Sequence, residues 1–362
     1  MKFSFKIGSI WGIPIELHLT FLLLILAIFV LSLLSHLNFY FFFIIIALFV
    51  FVVFHELAHS IVARRYNIKV RRIVLYPIGG VSEIEDPPNN PAQEWRMALS
   101  GPLTSLILGI LILAIGLALT PQLLPAALTF TLTGNLILDL ATLNILLGLF
   151  NLIPAFPMDG GRVLRAVLAQ HMHYSKATRL SVITGRILGI AMVIVGFILP
   201  GYFLLIIIGL FVYIGANQEG QQTQLTTKLA QLQVKDIMQP DTTMLDSTQT
   251  LTEAQEHMQK NQHHNALVQK NGAYLGIVTQ NEITKIPPQQ HNLLHIEQIP
   301  LVNIVIFDDQ SILEADKLRL KEQLDLIPVV QKQNPTQIIG TLTTKNIAQA
   351  YEKTQNPNQQ PT

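Results

Sequence analysis

The sequence predicts a membrane α-helical bundle of about six transmembrane helices, followed by a soluble α/β tandem. Half of the 362 residues are hydrophobic and only 13% are charged, whereas soluble domains carry about 25% charged residues. Nearly all long apolar runs lie before residue 218, while residues 221–362 hold 11 Lys and Arg and 14 Asp and Glu. The first part is therefore expected in a lipid bilayer and the second in water.

The composition also limits the chemistry and the partners. The chain has no cysteine, so disulfides and thiolate ligands are excluded, and any metal must be held by His and carboxylate side chains. The net charge of +1 gives no indication of nucleic-acid binding, and we expect none.

Six apolar segments are expected to form the membrane helices, because a spanning helix needs about 20 mostly apolar residues. The first is too long for the apolar core of a signal peptide, and no small-x-small cleavage site follows it, so we expect a retained helix. The six segments are Leu17–Ser35, Phe39–Ala63, Ala98–Leu119, Leu136–Ile153, Leu180–Leu199 and Tyr202–Ala216.

The distribution of Lys and Arg predicts the orientation in the membrane. With six spans, the N-terminus, the connections after the second and fourth segments and the C-terminal region share one side. The opposite loops, near His36, at 120–135 and at Pro200–Gly201, contain neither Lys nor Arg. By the positive-inside rule, both termini of this multi-pass cell-membrane protein are expected in the cytoplasm. The basic residues on the cytoplasmic side include Lys2, Lys6, Arg64, Arg65, Lys69, Arg71, Arg72, Arg162, Arg165, Lys176 and Arg179.

A His-Glu-x-x-His pattern, from His55 to His59, lies near the cytoplasmic end of the second segment. Residues four apart share one face of a helix, so both imidazoles can reach one metal ion. Glu56 is placed to take a proton from a metal-bound water without ligating the metal itself. Ionisable residues inside an apolar helix are costly in lipid, which favours a functional site over a helix end among the headgroups.

A second polar cluster follows the fourth segment, at Asn151–Arg162. Pro154 and Pro157 are expected to break the helix, and irregular backbone at membrane depth requires protein or a water-filled cavity around it. Asp159 follows that break on the same side as the His pair. Two His and one carboxylate, with a fourth position left for water, are the ligands of a hydrolytic zinc site; the alternative for Asp159 is a helix-start cap.

Together these motifs resemble those of the site-two protease family, the intramembrane zinc metalloproteases. The resemblance implies one zinc ion per chain, held by His55, His59 and Asp159, with Glu56 activating water. It implies hydrolysis of a peptide bond within or near the transmembrane helix of a membrane-tethered, single-span protein substrate, as in regulated intramembrane proteolysis.

Two further features bear on the substrate. Asn144 and Asn151 are two helical turns apart, so both are expected to face into the bundle, where either could hold a substrate carbonyl or stabilise an oxyanion. The family implies a place for Asn151 near the substrate. The segment Arg71–Val81 resembles the strand and loop that the family inserts before its third helix, and an unwound substrate is expected to pair along its edge. The alternative is a plain cytoplasmic loop.

The soluble part contains two similar units, each with an extended segment, a helix, two short strands and a final helix. Their spacing resembles a pair of cystathionine-beta-synthase (CBS) domains, which pack as a tandem, often bind adenosine nucleotides and often pair between chains as a homodimer. The resemblance implies nucleotide contacts at Thr279 and Glu282, while Asn346 occupies the place of Glu282 in the second unit. The alternative for Glu282 is a helix N-terminal residue favoured by the dipole.

The expected domains are a transmembrane zinc metalloprotease domain at 1–217, a linker at 218–233, CBS domains at 234–286 and 296–351, and a disordered tail at 352–362. Two other functions remain open. One is an ion channel or transporter with a regulatory CBS tail, in which intramembrane His and Asp line an ion path. The other is a non-catalytic zinc-bound receptor. The transporter explains neither the Glu after the first His nor the four-residue spacing of the His pair.

Overall fold

The computed structural model describes residues 3–34, 39–85, 90–119, 133–240 and 243–355. Contacts between residues divide the chain into two compact units, Met1–Gln221 and Gln222–Thr362. The described part of the first unit consists of helices and one four-stranded sheet, and that of the second contains two three-stranded sheets with their helices.

The first unit contains the six apolar helices that the sequence predicts. Four of them are long and apolar enough to cross a membrane, and the two shorter ones, α1 and α4, have 16 residues each. The predicted membrane bundle is therefore confirmed. In chain order, the six apolar helices and the additional short helix α5 are α1 (Leu19–Leu34), α2 (Phe39–Arg65), α3 (Pro91–Leu119), α4 (Leu136–Asn151), α5 (Asp159–Ala169), α6 (Tyr174–Ile198) and α7 (Leu204–Gln231).

A four-stranded sheet lies against helix α2. Its strands β1 (Ser4–Ile10), β2 (Ile13–His18), β3 (Val70–Tyr76) and β4 (Gly79–Ile84) follow one another in this order, with β2 and β3 parallel and the other pairs antiparallel. Apolar side chains of the sheet pack on Val52, Val53 and Leu57 of α2. Strand β4, at one edge of the sheet, pairs only with β3 within the described part of the chain.

The N-terminal hairpin of β1 and β2 was not predicted from the sequence. Its two-residue turn, Trp11 and Gly12, has φ of 50° and 78°, and positive values at both positions are those of a type I′ hairpin turn. The turn residues themselves were therefore a signal for a hairpin. The apolar run that begins at Leu17 is a stronger signal in this part of the sequence, and it predicts only a helix.

Arg72 ties the middle of the sheet together. Its guanidinium on β3 donates to Glu16 on β2 at 2.7 Å and to Glu83 on β4 at 2.8 Å. The Ser4 hydroxyl, which donates to the same Glu16 carboxylate, and the Arg72 charge hold the pKa of Glu16 below its usual range. Strand β4 is thus fixed by side chains as well as by its backbone pairing.

The second unit repeats one small α/β motif. The first copy contains β5 (Leu245–Asp246), α8 (Leu251–Asn261), β6 (Asn265–Lys270), β7 (Ala273–Thr279) and α9 (Gln280–Thr284), and its sheet has the order β5-β6-β7. The second copy contains β8 (Ile306–Phe307), α10 (Ile312–Lys321), β9 (Leu326–Gln331), β10 (Asn334–Thr343) and α11 (Thr344–Gln355), with the order β8-β9-β10. The predicted order of elements in each copy is confirmed.

Two predicted boundaries differ from the structure. Helix α7 continues to Gln231, through most of the expected linker at 218–233, because Leu225 and Leu229 lie four residues apart on one face and Leu229 is buried in the core of the second unit. The expected tail at 352–362 is helical in its first four residues, which belong to α11. Its remainder, 356–362, lies outside the described residues.

Candidate metal centre

Helix α2 places His55 and His59 on one face, as their spacing predicts. Both side chains are buried, and they follow a continuous run of apolar residues at 41–54. The two rings meet edge to face, with centroids 4.9 Å apart. Each ring directs its Nε2 toward the same point, because both nitrogens lie close to one oxygen of Asp159.

Asp159 reaches the same point from a different part of the chain. Helix α4 ends at Asn151, and after the segment with Pro154 and Pro157 the chain resumes as α5 with Asp159 as its first residue. Its Oδ2 lies 3.0 Å from His55 Nε2 and 3.1 Å from His59 Nε2. Three ligand atoms of the types that bind zinc thus converge from two helices.

Helix α3 orients both imidazoles through their second nitrogens. His59 Nδ1 donates to the Met97 carbonyl at 2.7 Å, since a carbonyl oxygen can only accept. His55 Nδ1 lies 2.9 Å from the Ser105 hydroxyl. Such outer contacts fix the ring orientation and leave Nε2 free for a metal. The residues present therefore fit a metal ion.

Gly101 allows α3 to pass this close to the His pair. A Cβ built at this position would lie 2.2 Å from His59 Nε2 and 2.6 Å from His55 Nε2, so no other residue fits without moving a ligand. Met97, Gly101 and Ser105 were missed from the sequence. The one signal was the group of small residues around Gly101 in an apolar helix, which is typical of close helix packing in membranes.

Glu56 lies beside the converging ligand atoms. A carboxylate oxygen of Glu56 and the ring nitrogens of His55 and His59 lie within 4.8 Å of one another. The carboxylate accepts a hydrogen bond of 2.7 Å from Ser82 on β4. It faces a cavity of about 420 Å³ that is also lined by both His residues, Asp159 and strand β4. Glu56 can therefore reach a water molecule in that cavity.

The two asparagines to which the sequence analysis gave one role lie in different surroundings. Asn151 lines the cavity, but Asn144 does not, although it is fully buried. Each side-chain amide donates to the carbonyl four residues earlier in α4, Leu140 and Leu147 respectively. The oxygen of Asn144 has no hydrogen-bond partner among the described residues. The cavity lies near the C-terminus of α4, so of the two asparagines only Asn151 lines it, and contact of Asn144 with the substrate stays a prediction.

The candidate nucleotide residues both take part in the start of α9. The Thr279 hydroxyl is the N-cap acceptor for the Glu282 backbone N–H, and Glu282 accepts from the Lys285 ammonium at 2.5 Å. In the second copy, Thr343 and Asn346 form the corresponding pair, with the Thr343 hydroxyl donating to Asn346 Oδ1 at 2.6 Å. Both copies thus have a Thr-capped helix at this place.

Comparison with known proteins finds relatives of both parts of the chain. Residues 43–139 and 126–196 match the model of peptidase family M50, and residues 234–288 match that of the CBS domain. The zinc metalloprotease MJ0392 of Methanocaldococcus jannaschii is 37% identical over 285 residues, 79% of this chain and 80% of that protein. The putative zinc metalloprotease Rip3 of Mycobacterium tuberculosis is 28% identical over 256 residues, 68% of this chain and 64% of that protein. The structure of the site-2 protease from Methanocaldococcus jannaschii covers 60% of this chain and 95% of that chain, with 41% identity and a TM-score of 0.44.

Apolar helices around a His-Glu-x-x-His site define a membrane-embedded zinc metalloprotease. The chain belongs to peptidase family M50, and it carries a CBS domain after its membrane bundle. It is a multi-pass membrane protein. Family membership favours a peptidase over the channel or transporter that the sequence had left open.

Proposed function

We propose that His55, His59 and Asp159 hold one zinc ion per chain and that Glu56 is the catalytic base. The main support for this assignment is that one carboxylate oxygen of Asp159 lies 3.0 Å from His55 Nε2 and 3.1 Å from His59 Nε2. The Met97 carbonyl and the Ser105 hydroxyl support it, because they hold both rings with Nε2 directed at that point.

The reaction is hydrolysis of a peptide bond. Zinc, when bound, supplies Lewis acidity to the scissile carbonyl and to the attacking water. Glu56 takes the proton from that water while the water oxygen attacks the carbonyl carbon. The same carboxylate then delivers the proton to the amine nitrogen as the C–N bond breaks. The cavity of about 420 Å³ gives water a place beside Glu56 within an apolar bundle.

The substrate is a single-span membrane protein whose helix unwinds near the site. A helical peptide bond is protected by its own hydrogen bonds, so the substrate must become extended before it is cut. Strand β4 offers a partner, because it is an edge of the sheet and its residues Gly79–Ser82 line the cavity. An extended segment can add to such an edge through backbone hydrogen bonds.

Asn151 lies at the same cavity and is proposed to bind the substrate backbone. Its Nδ2 donates one hydrogen bond to the Leu147 carbonyl, which leaves a second N–H and the amide oxygen for a substrate peptide group. Asn144 is not included in this role.

Both termini are proposed to lie in the cytoplasm. The loop charges support this orientation through the positive-inside rule, and helix α2 ends with Arg64 and Arg65 on that side. A reporter fused after Thr362 is expected to be cytoplasmic, and an external reporter would contradict the orientation.

The CBS tandem is proposed to bind an adenosine nucleotide and to pair between chains. The repeated α/β motif and the match to the CBS domain support a nucleotide site at Thr279 and Glu282. The mass of the detergent-solubilised full chain, with and without ATP, tests whether it is a dimer.

Metal analysis of purified variants tests the ligand assignment. His59→Ala and Asp159→Ala are expected to lose the bound zinc that the wild type retains, because each leaves only two protein ligands. His171→Ala is the matched control, since its side chain is exposed outside the site. Equal zinc in wild type, His59→Ala and Asp159→Ala would contradict the assignment.

A further inference from the structure

Strand β4 contacts Glu56 through two residues of the same face. The Ser82 hydroxyl donates to Glu56 Oε2 at 2.7 Å. Two residues earlier, a Cβ at Gly80 would lie 2.6 Å from Glu56 Cγ. Residues two apart point to the same side of a strand. Gly80 therefore allows β4 to lie close to Glu56, and Ser82 donates a hydrogen bond to its carboxylate.

The hydroxyl of Ser82 has other neighbours, but Glu56 is the strongest acceptor among them. Ser60 Oγ lies 3.3 Å away and the backbone oxygen of Glu56 3.4 Å away. A serine has one proton to donate, and a carboxylate accepts it in a shorter and stronger bond than a neutral oxygen does. The oxygen of Ser82 remains able to accept from Ser60.

We propose that Ser82 is a positioning residue for Glu56. By occupying Oε2 it holds the carboxylate in one orientation, with Oε1 left to take the proton from water. The inference rests on the proposed role of Glu56 as the base. It adds that this base is oriented by the sheet rather than by its own helix.

This arrangement connects substrate binding with the orientation of the base. Ser82 pairs with Ile73 through the backbone of β4, and the neighbouring Glu83 is held by Arg72. A substrate strand that adds to the edge of β4 opposite β3 would lie against the same strand that carries Ser82. Strand β4 would then position both the scissile bond of the substrate and the carboxylate of Glu56.

Steady-state kinetics of Ser82→Ala and Ser82→Thr test the proposal. The probe is a labelled single-span peptide with a Gly-Pro pair in its apolar helix, cleaved by the full chain in detergent. Ser82→Ala is expected to lower kcat on the order of tenfold. This is less than the hundredfold or more by which a general base accelerates such a reaction, because Glu56 itself remains. KM and zinc content are expected to stay at wild-type values, and Ser82→Thr, which keeps the hydroxyl, restores kcat.

Ser181→Ala is the matched control, because its buried hydroxyl donates only to the Ala177 carbonyl within α6. Its kcat is expected to equal that of the wild type. An unchanged kcat in Ser82→Ala overturns the proposal, as does a raised KM at constant kcat. Loss of zinc or of thermal stability without rescue by Ser82→Thr shows a structural role and also overturns it. If the wild type shows no chelator-sensitive cleavage of the peptide, the proposed function itself is contradicted.

Discussion

Arg165 donates two hydrogen bonds to one oxygen of Glu94, from Nε at 2.8 Å and from Nη2 at 2.5 Å. Both side chains are buried. The remaining Nη1 donates to Glu219 on α7 at 2.5 Å. Helix α5, which begins with Asp159, is thereby tied to the start of α3 and to α7.

Replacing Arg165 by Met is expected to destabilise the bundle by about 3–5 kcal/mol, because Glu94 is left as a buried charge without its partner. The change is measured as a fall in the unfolding temperature of the detergent-solubilised protein. The double variant Glu94→Gln/Arg165→Met is expected to recover part of the loss. An unchanged unfolding temperature in Arg165→Met would show that this ion pair does not hold α5.

Removing the Ser105 hydroxyl is expected to weaken zinc binding. Ser105 contacts Nδ1 of His55, and loss of such an outer contact lowers metal affinity by about 10–100-fold. Competition with a zinc chelator measures the affinity of Ser105→Ala against the wild type, with Ser181→Ala as the control. If Ser105→Ala binds zinc as tightly as the wild type, His55 does not depend on this hydroxyl for its orientation.

Gly101→Ala is expected to disturb the ligands directly. The added Cβ would lie within 2.6 Å of both Nε2 atoms, so a ligand must move, and zinc affinity is expected to fall by about tenfold or more. Gly116→Ala lies on the same helix, where the new atom meets only side chains of Ile137 and Leu138 at 3.0 Å. This control is expected to keep its zinc. Equal zinc affinity in the two variants would place the metal elsewhere.

The sequence indicated the proposed ligands and Glu56, but it did not indicate the residues of α3 that pack against them. His55, Glu56 and His59 are visible because helical spacing alone places them together. Asp159 could be inferred from its place after two prolines. Gly101 and Ser105 could not, because the depth at which α3 crosses α2 is set by the packing of many side chains.

The same limit explains what else the sequence did not indicate. Asn144 faces inward as its spacing predicted, but the extent of the cavity is a property of the whole bundle. The hairpin before α1 has turn residues at Trp11 and Gly12, but the apolar run that follows is a much stronger signal, and the hairpin was therefore missed. Helix α7 continues beyond its apolar part because Leu225 and Leu229 pack in the second unit, which the Gln-rich composition concealed.

Glu282→Ala is expected to weaken binding of ATP by the full chain by roughly tenfold, the effect of losing one hydrogen bond to a charged group. Isothermal titration calorimetry in detergent measures the affinity. Glu256→Ala is the control, since Glu256 is an exposed carboxylate on α8 of the same copy. Absence of ATP binding by the wild type, or equal affinity in Glu282→Ala, would contradict a nucleotide site at this position.

The most direct test of the central claim is the pairing of metal content with cleavage in Glu56→Gln. Glutamine keeps the shape of the side chain but cannot take a proton from water, and it is not one of the three proposed ligands. The variant is therefore expected to retain one zinc per chain while cleavage of the single-span peptide falls by about a hundredfold or more. Cleavage at the wild-type rate by zinc-loaded Glu56→Gln would contradict the account.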